Sequence, residues 1–566
     1  MKRTVTALAR LSVVVGLCAF SLFAVAPNFA AAADDRPNIL LIVADDLAYS
    51  DLGVFGSEIR TPVLDQLAAE GMAFSNFHVL PTCSPTRASL LSGNDNHVAG
   101  MGVMAEFIYP AIEGLPGYQG HLSDHVAIAP EILRDAGYHT YMAGKWHLGD
   151  TDDQSPFARG FEQTFALMNG GGSHWSDMAS LSAVETLVYR RNGERITSLP
   201  EDFYSTKNYT DAMIEFIDMN SGDGRPFFGY LAYTAPHDPL HAPADFIKKY
   251  NGVYDEGWDV LAQSRLSGLK ELDLVPRDLN AIPDNFLAPA WSEVSEVRRA
   301  DYARDMEVYA AMVDYLDMSV GRLLSYIDQK GLADNTLVLF MSDNGANGAL
   351  PTSYPGNADG QYLSGFDNSL DNRGLVNSFP DMGPGWAQAA SVPFRYYKSF
   401  TSEGGIRAPL LARFPAAKET AGSTSNALVH VTDVLPTLLD AAGVTYPEEV
   451  NGKPARAPIG GSVLPLLLGE AAGDTVSKGI GYELFEMKAF LQDNWKLLRM
   501  PEPFGSGEWE LFDLSTDPGE IHDVSATHPD VLQRMVGLWS DYARQNDVYN
   551  HAGYFDAIYK RIYKAK

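Results

Sequence analysis

Four short apolar runs in this chain each stop at a cluster of polar residues, and that repeated order constrains the fold more than any other feature of the sequence. Asn38 to Ala44 leads into Asp45-Asp46, and Tyr138 to Ala143 into Gly144-Lys145-Trp146-His147-Leu148-Gly149. Phe227 to Thr234 is followed by Pro236-His237-Asp238-Pro239, and Thr336 to Ser342 by Asp343-Asn344-Gly345. A short apolar run bounded by loop signals reads as a strand buried on both faces, the kind that forms a parallel sheet under helices. Helical signals fall between the runs. Thr61-Pro62 opens a helix that Gly71 closes, and Pro130 opens another that ends at Gly137. Val308, Met312, Val313, Leu316, Val320, Leu323, Leu324 and Ile327 form one apolar helix face that stops at Gly331. The alternation predicts the α/β class: a doubly wound, mostly parallel sheet with helices on both faces. Ligands of such sheets bind beyond the carboxyl ends of the strands, so the four polar clusters are expected to converge on one crevice.

The organisation changes towards the C-terminus. From Leu350 to about Phe400 the chain is rich in Gly, Asn, Asp, Pro and aromatic residues, and so long a connection is expected to serve as a lid or binding wall, with Tyr362, Phe366, Phe379 and Trp386 shaping it. Met487 to Leu491, Trp495 to Arg499 and Glu508 to Leu514 read as an antiparallel meander, and Val531 to Tyr542 as a helix packed on it. The division expected is a leader over 1–33, a catalytic α/β domain over 34–470, and a smaller C-terminal α+β domain over 471–566.

The leader is expected because Lys2, Arg3 and Arg10 precede an apolar stretch from Leu11 to Val25 and a small-residue run from Ala30 to Ala33. Its apolar stretch is short for a bilayer span, so cleavage and a periplasmic or secreted product are expected, without stable membrane insertion. Formal net charge is -30 over 566 residues. Removal of the three leader cations makes it more negative still, which excludes nucleic acid as a natural partner. An anionic substrate would need a local positive field against that background.

With Cys18 in the leader, Cys83 is the single cysteine left, and no disulfide can form within the mature chain. A lone thiol in an oxidising compartment calls for a chemical reason. Its surroundings supply one. Ser84 suits a helix cap, Pro85 the first helical position and Gly93 the residue after the end, so a short helix is expected to begin immediately after Cys83. Cys83 then stands at the positive end of a helix dipole with Arg87 one turn further in, a place that stabilises anions. Asp45, Asp46, Asp343 and Asn344 offer hard oxygen ligands, chemistry suited to Ca²⁺ or Mg²⁺ and unsuited to zinc. Lys145, His147, His237 and Arg87 add cationic or protonatable groups to the same rim. His97, His121, His125 and His241 are read as structural or pocket-lining.

These residues resemble the type I sulfatases of the alkaline phosphatase superfamily, and most of all the bacterial arylsulfatases. The matching stretches are Cys83-Ser84-Pro85-Thr86-Arg87 with Leu90-Leu91-Ser92-Gly93, Gly144-Lys145-Trp146-His147-Leu148-Gly149 and Ala235-Pro236-His237. Met341-Ser342-Asp343-Asn344-Gly345, Tyr397-Lys398-Ser399-Phe400-Thr401 and Glu510-Leu511-Phe512-Asp513-Leu514 follow in the same order. The resemblance implies that a formylglycine-generating enzyme converts Cys83 to Cα-formylglycine, whose hydrate attacks sulfur. It implies a metal on Asp45, Asp46, Asp343, Asn344 and modified Cys83, with Asp343 as base and Arg87 holding the diol. Lys145 and Lys398 would clamp the sulfate, His237 would protonate the leaving group, and His147 would release sulfate. Asp238-Pro239 after His237 departs from the pattern, with a consequence for substrate or histidine pKa that the sequence does not give a direction for.

The expected activity is therefore hydrolysis of a small-molecule sulfate ester. Two alternatives stand beside it: a phosphonate monoester or phosphodiester hydrolase on the same scaffold, and a noncatalytic anion-binding protein. A cysteine-phosphatase loop does not match, because it places arginine six residues after cysteine and Arg87 is four after Cys83.

Overall fold

A computed structural model describes residues 35–470 and 479–549, with 553 and 555. The expected leader lies outside the described residues. Among those residues no helix is long and apolar enough to cross a membrane.

The four apolar runs are neighbouring strands of one ten-stranded sheet. Its strands, in chain order, are β1 Asn38–Ala44, β2 Met72–Phe74, β3 His139–Lys145, β4 Gln163–Leu167, β5 Tyr189–Arg191, β6 Glu194–Ile196, β7 Phe227–Ala232, β8 Thr336–Ser342, β9 Leu410–Arg413 and β10 Ser423–Ser425. The spatial order is β10-β2-β9-β8-β1-β7-β3-β4-β5-β6. The middle five, β8-β1-β7-β3-β4, run parallel, whereas β9, β5 and β6 pair antiparallel towards the edges. Every residue of β1, β3, β7 and β8 is buried, as expected of strands covered on both faces.

Register brings the polar clusters together. Ala44 pairs with Ser342, so Asp45 and Asp343 leave the sheet side by side. The Asp343 N–H donates to the Ala44 carbonyl at 3.1 Å, and the Asp45 N–H to that of Ala235 at 3.1 Å. The expected helices are present as Pro62–Glu70, Ala129–Asp135 and the 34-residue Glu296–Gln329. The cysteine helix spans Cys83–Ser92 and ends at Gly93 in the left-handed region. Its start differs from expectation: Thr82 is the capping position and Cys83 the first helical residue. Pro85 has no N–H to give and its fixed φ suits any position of the first turn, so proline narrows the start without assigning it.

The C-terminal domain carries a four-stranded antiparallel sheet, β11 Ile480–Leu484, β12 Met487–Gln492, β13 Trp495–Arg499 and β14 Glu510–Asp513, covered by the helix Pro529–Gln545. Side chains alternate across it. Met487, Ala489, Leu491 and Leu498 join the main core, while Phe490, Leu497 and Leu511 pack against Met535 and Trp539 of the helix.

The long connection after β8 is folded rather than open, and it differs from expectation in its aromatics. Trp386 is fully buried beside Trp258 and Trp291, each with ring centroids at 5.5 Å. Tyr362, Phe366 and Phe379 pack on one another, at 5.2 Å for each successive pair. Large rings gain most where they lose most water, so these four build core and loop structure, and none lines the cavity described below.

Candidate active site

The helix Cys83–Ser92 is buried along its whole length and presents Cys83 beneath the strand ends. One turn on, Arg87 donates through Nε to Asp343 Oδ2 at 2.9 Å and through Nη1 to the Lys145 carbonyl at 3.0 Å. It thereby joins β8, β3 and the cysteine helix. Lys145 Nζ reaches Asp45 Oδ2 at 2.7 Å. Lys398 Nζ bonds both oxygens of Asp46, at 2.7 and 3.0 Å. Three buried aspartates thus face three buried cations, and none of these charges could be held dry without the others.

Burial pushes the Asp45 carboxyl up, but Lys145, His237 and Arg87 outweigh it and hold it below the ordinary carboxylate range. Burial likewise raises the Cys83 thiol, and Lys145 with Lys398 bring it below its usual value. His237 Nε2 lies 3.4 Å from Asp46 Oδ2 and its Nδ1 lies 3.0 Å from Asp238 Oδ1. Despite burial, Asp46, Asp45 and Asp238 carry the His237 pKa well above that of free imidazole. This answers the question left by Asp238: its charge favours protonated His237. Asn347 and the Tyr354 hydroxyl donate to Asp238 at 2.8 and 2.9 Å and hold it there.

His147 departs from the other groups in its partner. Its Nε2 lies 3.3 Å from Glu106 Oε2. Burial lowers the ring's proton affinity, yet Glu106 and Cys83 outweigh this and raise it. Asp46 at φ 66° and His147 at φ 56° both occupy the left-handed region, which costs on the order of 1 kcal/mol for a residue with a Cβ and is least costly for Asp, Asn and His. Gly170 and Gly171 make room for the two histidines. A Cβ on Gly170 would stand 2.7 Å from the His147 ring, and one on Gly171 would stand 3.2 Å from that of His237.

Asp45, Asp46, Cys83 and His237 each offer a ligand atom, all within 4.8 Å of one another. Asn344 stands alongside, donating from Nδ2 to Asp46 Oδ1 at 2.6 Å. Asp45 Oδ1 and Asn344 Oδ1 are buried without a hydrogen-bond donor. Orphaned hard oxygens of this kind are costly unless a cation meets them, so the donor set fits a divalent metal of the calcium or magnesium type. A cavity of about 570 Å³ opens over Cys83, His147, His237 and Lys398. Its volume is that of a small-molecule site.

All ten candidate residues named from the sequence are buried and meet at this one place. His121 lines the cavity, whereas His97 and His241 are buried elsewhere in hydrogen bonds, and His125 is exposed. Sequence reasoning missed Glu106, Asn347, Tyr354 and the glycine pair. The run Gly170-Gly171-Gly172 just past β4 was a readable sign of close approach, but nothing local marks Glu106.

Comparison with known proteins shows similarity along most of the chain. The sulfatase family profile matches residues 37–444, and that of the N-sulphoglucosamine sulphohydrolase C-terminal region matches 394–540. An uncharacterized sulfatase of Schizosaccharomyces pombe is 42% identical over 527 residues, covering 91% of this chain and 94% of its own. An arylsulfatase of Klebsiella aerogenes is 39% identical over 436 residues, covering 76% and 92%. Among solved structures, that of Ps i-CgsB superposes with a TM-score of 0.64 at 25% identity, covering 93% of this chain and 97% of that one.

Proposed function

The chain belongs to the sulfatase family and is a sulfuric ester hydrolase, and from that premise we propose that it releases inorganic sulfate from an aryl or related sulfate ester through a nucleophile derived from Cys83. The observation that carries this reading is the position of Cys83: first residue of a buried helix, under Lys145 and Lys398, with His147 and His237 on the cavity wall.

Cys83, once oxidised to Cα-formylglycine and hydrated, supplies two geminal hydroxyls, one for attack on sulfur and one for expulsion of sulfate. A divalent cation, Ca²⁺ ahead of Mg²⁺, would be held by Asp45, Asp46, Asp343, Asn344 and residue 83, and would make the site net positive and the nucleophile more acidic. The remaining work falls to the chain's own groups. Lys145 and Lys398, both buried, hold sulfate oxygens where fixed positive charge acts strongly. His237, whose protonated form is favoured by the charge of its aspartate neighbours, gives its proton to the departing oxygen. His147 takes a proton from residue 83 as sulfate leaves, with Glu106 holding the ring. Arg87 fixes Asp343 and orients it as the base for the attacking hydroxyl. The reading carries with it a formylglycine-generating enzyme as maturation partner and a periplasmic or secreted location.

The test is the mass of the proteolytic peptide that contains Cys83, taken from active protein made in its own producing cells, with rates on an aryl sulfate and an aryl phosphonate measured in parallel. An aldehyde at residue 83 with preference for the sulfate supports the reading. An unmodified thiol in active enzyme overturns the nucleophile, and preference for the phosphonate assigns the scaffold to phosphoryl chemistry instead.

A further inference from the structure

The cavity above Cys83 has a one-sided distribution of charge. Among the described residues that line it, Lys398 is the only lysine or arginine, and it lies on the buried floor against Asp46. The wall carries acids instead. Glu106 and Glu185 are half-buried and Asp150 is exposed, so all three stand on the solvent side of buried Cys83 and Lys398. Glu106 is met by His147, and His237 is engaged by Asp46 and Asp238. His121, the other histidine of the wall, has its Nδ1 at the Leu122 carbonyl. Met104, Phe107, Met168 and Leu181 also line the cavity, an apolar belt that would take a ring or short alkyl group.

From this distribution we propose that the organic half of the substrate is uncharged or cationic: the enzyme takes small esters bearing a single sulfate and rejects those with a second anionic group. The inference rests on the sulfate-ester reading and adds the substrate class to it. The sulfate is met on the floor by Lys398, the one lysine or arginine among the described lining residues. A second anion, carried by the same molecule out past the apolar belt, reaches Asp150 and Glu185 with no lysine or arginine on the wall to receive it. At the effective dielectric of a partly dried protein surface, two like charges several ångström apart cost tenfold or more in binding. The overall charge of -30 acts in the same direction on approach, and opposes a polyanionic polymer most of all.

Three substituted phenyl sulfates test this: a trimethylammonio, a nitro and a carboxylate derivative, compared as kcat/KM on matured enzyme at low ionic strength after correction for leaving-group pKa. The expected order is cationic at or above neutral, and anionic at least tenfold below, with the gap closing as salt is raised. In the double variant Asp150→Asn, Glu185→Gln the ratio between cationic and anionic esters should fall towards one. An anionic ester turned over as well as the neutral one overturns the inference and leaves the sulfatase reading standing. Turnover of none of the three, under conditions where residue 83 carries the aldehyde, removes both.

Discussion

Glu106 holds His147 by Nε2 at 3.3 Å, while His147 Nδ1 is buried without a hydrogen-bond partner. Glu106 is itself kept ionised: burial would raise its carboxyl, but His147 brings it down to about 2. A carboxylate against one imidazole nitrogen fixes the tautomer and turns the other nitrogen into the acceptor. Glu106→Gln keeps the size of the side chain and removes its charge. The expected result is a kcat lower by about 10- to 100-fold with KM little changed. The basic shift of His147 in the pH profile of kcat should also shrink, whereas an unchanged profile would show that Glu106 has no hold on the ring.

Gly170 is the second support of His147. An added Cβ would meet Cε1 at 2.7 Å and Nε2 at 2.9 Å, closer than real side chains approach. Gly170→Ala should displace the ring from Glu106 and cut kcat by about tenfold or more, since small misplacements of a catalytic group are costly. Circular dichroism should show the fold retained.

Lys496 of β13 joins the C-terminal sheet to the loop that follows Lys398. Its Nζ bonds Glu403 Oε1 at 2.7 Å and lies 3.2 Å from Glu520 Oε1, with all three side chains fully buried. Lys496→Met would leave Glu403 with Arg407 and His78 and take from buried Glu520 the ammonium beside it, and should destabilise the protein by about 3–5 kcal/mol in urea unfolding. Because Glu403 stands five residues beyond Lys398, activity should fall at temperatures well below global unfolding.

His97 makes the folded state sensitive to alkali. Burial lowers its pKa, but the Asp95 carboxylate at 2.9 Å and Glu483 on β11 more than reverse this and raise it to about 9. The ordinary value is about 6.5, so the protonated ring stabilises the fold fully below that pH. The contribution declines as pH rises and is lost above about 9. It amounts to something on the order of 3 kcal/mol at its greatest. The stability difference between the native protein and His97→Gln should therefore be large at pH 6 and close to nothing at pH 10, as read from denaturant titrations at each pH.

What the sequence determined by itself was the frame and the set of residues that gather at the site. The span of β1 from Asn38 to Ala44 and that of β8 from Thr336 to Ser342 are legible because a strand buried on both faces needs an unbroken apolar run, and such runs are local. The polar residues after them, and the cysteine with its arginine one turn on, are legible for the same reason. Tertiary structure alone decided what each of these groups touches. Glu106 meets His147 across 41 residues and Lys398 meets Asp46 across 352, distances over which no periodicity extends. It also decided that Trp386 belongs to the core while Tyr354 forms the cavity wall, since both are aromatic residues of one polar connection and differ only in the surface each finds to pack against. Local sequence specifies conformation; the partners of a buried charge depend on which distant segments the sheet brings beside it, and the free energy that selects them is shared by the whole core.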